Sequence, residues 1–267
     1  MNIQRLSIAV IAILLILSGG LAAQEGEVTP RRNTLYDMPP RWLVDMPTAG
    51  TLHRGYYDMG LRIYPGGGGL GSVNIGMSSR FMLGISYGAG DVISSAEPNW
   101  NPRIGFSIKF RVVDEMEFFP AIAVGFTNQG FGAYSDAVER YTYKSRGFYA
   151  VASRSFYFYK WTAGWHGGVN YSLEDNVDND DEVNFFVGLD ATFNYNVGLM
   201  LEYDVALNDD RSAFESSGKG RGYLNSSVKW LFAENLEIEI VAKDLLVNRR
   251  ESKTFSREIR LTYIDHF

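Results

Sequence analysis

The sequence predicts an all-β fold: a transmembrane, antiparallel, up-and-down β-barrel of about twelve strands. Three observations point there. Apolar and polar residues alternate with a two-residue period along most of the chain. The spacers between alternating runs are short and long by turns. The apolar face carries rings and branched chains on strand after strand, while the other face mixes charges with glycine and serine.

Alternation is cleanest in "NVGLMLEYDVALND". Leu199, Leu201, Tyr203, Val205 and Leu207 share one face, and Met200, Glu202, Asp204, Ala206 and Asn208 share the other. "KWTAGWHGGVNYSLE", "RIGFSIKFRVV" and "NFFVGLDATFN" repeat the pattern, with Trp165, Phe106 and Leu189 on their apolar sides. The predicted strands are about 54–64, 70–78, 80–88, 102–113, 116–127, 141–155, 160–172, 182–194, 197–208, 221–232, 236–247 and 256–267. Most have about 9–13 residues, enough for a tilted strand to cross a bilayer. An even number keeps both chain ends on one side of the membrane.

The predicted links after even-numbered strands are brief, around Ser79, Asp114–Glu115, 156–159, 195–196 and 233–235. Those after odd-numbered strands are long and polar, as in "GAGDVISSAEPNWNP" and "NDDRSAFESSGKGR"; "PGGGG" is the short exception. Brief periplasmic turns and extended outer loops are the pattern of an outer-membrane barrel. A soluble sandwich has no reason to gather its long loops at one end. Aromatics such as "FYFYKW" and Phe118–Phe119 lie beside short turns, where a membrane interface would sit.

Residues 1–23 read as a signal peptide. Arg5 precedes a short apolar run, and Ala22 and Ala23 precede the expected cut before Gln24. The run falls short of the ~20 residues a spanning helix needs. Cleavage would leave 24 basic and 31 acidic residues, a formal charge of −7, which argues against nucleic acid as a partner. With no cysteine there is neither a disulfide nor a lipid-anchored amino terminus. Residues 24–50, rich in proline, are expected to be a periplasmic extension, either flexible or tucked into the barrel mouth, and 51–267 the barrel. A docking role can be envisaged for Arg31, Arg32, Arg41 and Trp42.

The last run, "REIRLTYIDHF", alternates to the final residue. In a barrel this strand pairs with the first and removes the open edge. A terminal aromatic in the lipid-facing register, Phe267 with Tyr263 before it, is similar to the signal read by the barrel-assembly machinery; Asp265 departs from it.

Several stretches resemble the YjbH-type family of bacterial outer-membrane barrels. They include "MPTAGTLHRGYYDMGLRIYP", "MLGISYGAG", "PRIGFSIKFRVVDE", "PAIAVGFTNQGFGAY", "KSRGFYAVASRSF" and "GRGYLN", and span about residues 46–225. The resemblance implies a barrel in the outer membrane, associated in some relatives with exopolysaccharide or capsule export. YjbH-type proteins are longer than this chain, and no functional residue carries over.

Candidate sites are few. The inward parity collects Asp58, Arg62, Lys109, Arg111, Asp190, Glu202, Asp204, Lys229, Glu239 and Arg260 as a lumenal charge cluster, with Asp190, Glu202, Lys229 and Glu239 at similar depths. Buried charges must pair, so the cluster serves either as an electrostatic plug or as a path for polar solutes. Asp175, Asp178, Asp180 and Asp181 form an oxygen-rich loop that is the one candidate for Ca²⁺, although it lacks an EF-hand's glycine and distal glutamate. Gly66-x-Gly68-x-x-Gly71 is followed by a strand rather than a helix and reads as a hairpin tip, not a nucleotide loop. His53, His166 and His266 form no pair and lie in no long loop, so no catalytic site, soft metal or cofactor is expected; His166 reads as lumenal packing.

The sequence therefore predicts a non-enzymatic pore or envelope-transport component in the outer membrane, both termini periplasmic. Its partners would be lipid, the assembly machinery, and polysaccharide or small polar solutes. The competing expectation is a structural or adhesive barrel with a plugged lumen and working surface loops.

Overall fold

The computed structural model describes residues 39–174, 180–194, 196–210 and 217–267. The predicted signal peptide, Arg31, Arg32, Asp175 and Asp178 lie outside the described residues. The strands in chain order are β1 (Tyr56–Tyr64), β2 (Gly68–Ser78), β3 (Phe81–Gly90), β4 (Asn99–Trp100), β5 (Gly105–Val113), β6 (Ala121–Thr127), β7 (Phe131–Ser135), β8 (Arg140–Tyr143), β9 (Gly147–Phe158), β10 (Trp161–Tyr171), β11 (Asn184–Phe193), β12 (Val197–Asp204), β13 (Tyr223–Ala233), β14 (Leu236–Lys243) and β15 (Ser256–His266).

Twelve of these form a closed antiparallel barrel. The neighbour order runs β1, β2, β3, β5, β6, β9, β10, β11, β12, β13, β14, β15, and β15 returns to β1 with Tyr56 opposite His266 and Ile63 opposite Ile259. The closing ladder leaves neither strand an open edge, which is why the final strand can stay apolar on one side. Among the described residues no helix is long and apolar enough to cross a membrane, which says nothing of a barrel that crosses with strands.

The predicted rhythm of links holds. At one end of the barrel, the turn end, links 79–80, 114–120, 159–160, 194–196 and 234–235 are brief. At the other, the loop end, 91–104, 128–146, 172–183, 205–222 and 244–255 are long, and 65–67 is the short exception. Elsewhere strand ends differ from the prediction by up to four residues, as where β12 stops at Asp204 rather than 208 and β14 at Lys243 rather than 247, and two departures are larger. The fifth barrel strand starts at Ala121 rather than near 116, because 114–120 form the turn. The predicted strand 141–155 is broken: β8 pairs with β7 in a separate loop-end hairpin, and the barrel strand resumes at Gly147. Gly147 has φ +58° at a bulge where Tyr171 faces both Gly147 and Phe148, and a Cβ there would strike the Tyr171 carbonyl, so the alternating pattern runs through a break that side-chain parity does not register.

The faces sort as predicted. Along β12, Leu199 and Leu201 are exposed on the outside, while Met200, Glu202 and Asp204 are buried inside. Phe106, Phe110, Leu189, Val228 and Ile240 also face outward, and Lys109 faces the lumen. Charges inside and hydrocarbon-compatible side chains outside reverse the order of a soluble protein. Near the turn end, Phe158 stacks on Trp161 with ring centroids 3.9 Å apart, and Tyr57 stacks on Phe267 at 5.4 Å. Phe118, Phe119 and Phe232 are exposed nearby. Such rings suit the headgroup layer, one edge apolar and the other wet.

Candidate functional site: an occupied lumen

The interior of the barrel is filled by the chain's own amino-terminal segment. Residues 39–52 include a tight reversal: the Leu43 N–H donates to the Met46 carbonyl at 2.9 Å, and Trp42 bridges Pro47. The reversal points Val44, Asp45 and Met46 into the wall. Their three consecutive N–H groups donate to Glu202 Oε2 at 2.9, 2.8 and 2.9 Å, and Asn225 donates to Glu202 Oε1 at 2.8 Å. A carboxylate in a nest of backbone donors satisfies groups a turn would otherwise leave orphaned.

The Asp45 side chain meets three wall cations: Arg62 at 2.9 Å, Lys243 at 2.5 Å and Arg260 at 3.1 Å. Glu258 shares all three cations, and Glu239 lies 3.7 Å from Arg260. Lower in the lumen, Lys109 donates to the carbonyls of Arg41 (2.6 Å) and Gly50 (3.1 Å), and its ammonium lies 4.9 Å from the Trp42 ring centre. Arg41 pairs with Asp58 at 3.0 Å. The segment then leaves at the turn end, where Thr51 donates to the Ser79 carbonyl.

Apolar seats complete the fit. Val44 packs with Met200 and Val241; Met46 and Ala49 with Ala121, Ala123, Tyr149, Val151 and Phe186; Leu52 with Met82 and Ile264. Each apolar side chain fully withdrawn from water contributes about 1.5–3 kcal/mol. Room for the backbone comes from two wall glycines. A Cβ at Gly188 would collide with the Leu43 side chain, and one at Gly76 with the carbonyls of Leu52 and His53. The lumen is therefore not the uniformly polar bore its parity pattern suggests, but has apolar sockets shaped for this segment.

The loop end is capped as well. The β7–β8 hairpin brings the Phe131 ring 4.0 Å from the Arg62 guanidinium and Tyr143 3.6 Å from the Lys243 ammonium. Arg140 donates to Asp209 at 2.7 Å, Arg146 to Asp204 at 2.7 Å, and Tyr223 to Asp209 at 2.5 Å. Glu174 accepts the N–H groups of Tyr141 (2.9 Å) and Ser145 (3.0 Å). Burial raises the Glu174 carboxyl above its usual range, although bonds from Ser145 and Tyr141 and the charge of Arg140 pull the other way. A carboxyl raised on folding adds stability below its unfolded pKa and loses it as pH rises through the folded value. Relative to a Glu174→Gln variant, the wild type should therefore gain thermal stability as the pH falls from neutral toward 4.5, read as the difference between their melting temperatures in detergent. A constant difference would show that Glu174 does not titrate in this window.

The predicted lumenal charges do not form one cluster. Arg62, Glu239 and Arg260 come together around Asp45. Asp58, Lys109 and Glu202 each hold the segment separately, and Asp204 serves the cap. Lys229 pairs with Glu237 at 3.3 Å, and Arg111 sits at the turn end with Asp114 and the Ser79 carbonyl. Asp190, Glu202, Lys229 and Glu239, expected at similar depths, are not all cross-strand partners. Lys229 lies opposite Glu239, Glu239 opposite Arg260 and Arg260 opposite Arg62, whereas Asp190 faces Met200 and Glu202 faces Asn225.

His166 does more than pack. It bridges Ser153 Oγ (2.8 Å, Nδ1) and Asp190 Oδ1 (2.7 Å, Nε2), and the Ala49 N–H donates to the same Ser153 Oγ at 2.8 Å. With a neutral ring every group is matched: Ala49 donates to Ser153, Ser153 donates to Nδ1, and Nε2–H donates to Asp190. Composition alone suggests an acyl-transfer triad, but the serine oxygen is buried and engaged by the segment, so the trio acts as a relay that anchors it. Sequence reasoning also missed Asp45 and Arg146; the first lies in an aperiodic stretch, and the second lies between strands. Of the candidate Ca²⁺ loop, Asp180 is buried and accepts the Asp210 N–H at 2.8 Å, and no group of three acidic or histidine side chains able to hold a metal occurs among the described residues. At the end of β15, Tyr263 donates to Asp265 at 2.7 Å, and Phe267 is exposed on the barrel's outside.

No family model and no curated protein matches the chain, so the likeness to YjbH-type barrels stands on its sequence segments alone. Solved structures do match. The KdgM porin has a TM-score of 0.46 at 10% identity, over 79% of this chain and 99% of that one. The outer-membrane protein Omp33 of Acinetobacter baumannii gives 0.43 at 6% identity, over 81% and 99%. The COG4313 outer-membrane channel of Pseudomonas putida F1 gives 0.41 at 11% identity, over 83% and 100%. At these identities and scores the likeness carries no inference about this chain, whose barrel is read from its own strand pairing.

Proposed function

We propose that the chain is a non-enzymatic, gated outer-membrane channel for small polar solutes, closed at rest by its own residues 39–52, with the turn end and both termini in the periplasm. The observation that carries this reading is the character of the lumenal contacts. The segment is held by discrete polar latches at Glu202, Lys109, Ser153 and the Asp45 clamp, and it joins the barrel only at the turn end before β1. It can be withdrawn without breaking a barrel ladder. Lipid surrounds the apolar belt, and the assembly machinery would engage β15 through Tyr263 and Phe267. Export of a polysaccharide, the narrower role that the YjbH resemblance implies, would require both the segment and the β7–β8 cap to move. The cavity left beside the segment is about 170 Å³.

The filled lumen also favours the competing reading, a structural or adhesive barrel that never opens. An engineered lock separates the two, and the chain's lack of cysteine makes it clean. Ala49→Cys with Ser153→Cys places two thiols on the segment and on the wall it touches. In planar bilayers the reduced protein should show conductance steps that vanish on oxidation and return with reductant. Silence in both states would sink the channel and leave the structural reading; equal conductance in both would show that this segment is not the gate.

A further inference from the structure

We propose that the Arg62–Lys243–Arg260 clamp is a recognition site for a sugar acid, and that Asp45 occupies it as an internal stand-in for the solute's carboxylate. The inference rests on the gated-channel reading and names the solute class of the same lumen. Three cations from β1, β14 and β15 converge on one side-chain carboxylate of the removable segment. Without Asp45 they are opposed only by Glu258 and Glu239, so the site is left one positive charge in excess. Arg62 Nε and Arg260 Nε are buried donors with no acceptor among the described residues, hydrogen-bonding capacity that the Asp45 carboxylate does not use. A guanidinium pair and an ammonium on one anion are the donors that hold a carboxylate well.

The surroundings give the rest of the solute its chemistry. Phe131 and Tyr143 roof the cations, their ring faces set over the Arg62 guanidinium and the Lys243 ammonium. The adjoining cavity presents Ser72, Asn74, Ser86, Ser107, Thr127 and Gln129 beside Trp42, Val44 and Leu70, hydroxyl and amide groups for a sugar's hydroxyls and apolar surface for its C–H faces. A solute that binds the clamp competes with Asp45, binds only the unlatched state and so shifts the gate toward open. The permeant molecule would open its own path.

The test uses the full chain in detergent and in bilayers, with glucuronate and glucose as probes that differ at one carbon, and inorganic phosphate as a plain anion, all at matched ionic strength. Asp45→Ala, which vacates the clamp, should bind glucuronate at least about tenfold more tightly than glucose or phosphate by calorimetry, and adding Arg260→Gln should remove about tenfold of that affinity. Glucuronate should raise the opening frequency of the wild type, and glucose should not. Should Asp45→Ala fold poorly, Asp45→Asn keeps the side-chain volume and is held to the same criteria. Equal binding of glucose, or of phosphate, overturns the proposal. Absent glucuronate binding while the cysteine lock still gates conductance overturns the sugar-acid site and leaves the channel standing. Binding of glucuronate with no conductance in any state supports the site and sinks the channel.

Discussion

Replacing Glu202 by alanine is expected to unseat the lumenal segment and raise the conductance of the barrel more than any other single wall substitution. Glu202 is fully buried, and one of its oxygens accepts three successive N–H groups from Val44, Asp45 and Met46. Alanine leaves three donors facing a dry wall, each costing about 1–3 kcal/mol when orphaned. Some of this is recovered when water enters and the turn relaxes, so the net loss in seating is on the order of 3 kcal/mol, about a hundredfold in the ratio of seated to released segment. Glu202→Gln keeps an acceptor oxygen and loses the charge, so it should fall between. The checks are channel recordings at low voltage and protease cleavage within 39–52 from the turn-end side. If Glu202→Ala stays as closed and as protected as the wild type, Glu202 is not the main latch.

The same residue shows what was legible in the sequence. Its inward direction followed from parity alone, because β12 alternates without interruption from Val197 to Asp204. The barrel, its closure and its long and short ends followed for the same reason: each is written in local periodicity. What Glu202 holds was not legible. Its donors lie more than 150 positions earlier, in a stretch with neither a two-residue nor a helical period, and the proline content of 39–50 fits a loose tail as well as a fitted stopper. Charge parity likewise put Arg62, Arg260 and Asp190 in the lumen, but parity carries no information about which neighbour a charge meets. Asp190 meets His166, while Arg62 and Arg260 meet an aspartate from the tail. The hairpin at 131–143 was hidden differently. Tyr141 and Tyr143 continue the pattern of β9, and the bulge at Gly147, with its positive φ, separates them from it.

Leu201, beside Glu202 on the opposite face, tests the membrane assignment itself. Leu201 is 41% exposed while Glu202 is 0% exposed, so adjacent residues occupy opposite environments. If the exterior meets hydrocarbon, Leu201→Arg near the middle of β12 should destabilise the barrel in lipid by about 2–4 kcal/mol. Tyr203→Arg, closer to the loop end, should cost about 0–1 kcal/mol, since the penalty fades toward the interface. A water-facing exterior predicts something else. There the leucine is an exposed apolar group, and arginine at either position would fall within about ±0.5 kcal/mol. Urea-dependent folding into vesicles reads both variants on one scale. The discriminating quantity is the difference between the two positions, because a general effect of arginine on a β-strand would appear equally at 201 and 203 and cancel. A flat profile would mean that the side chains ringing this barrel do not face a bilayer, and a steep one would place the centre of β12 at membrane depth, with Glu202 and the segment it holds enclosed behind it.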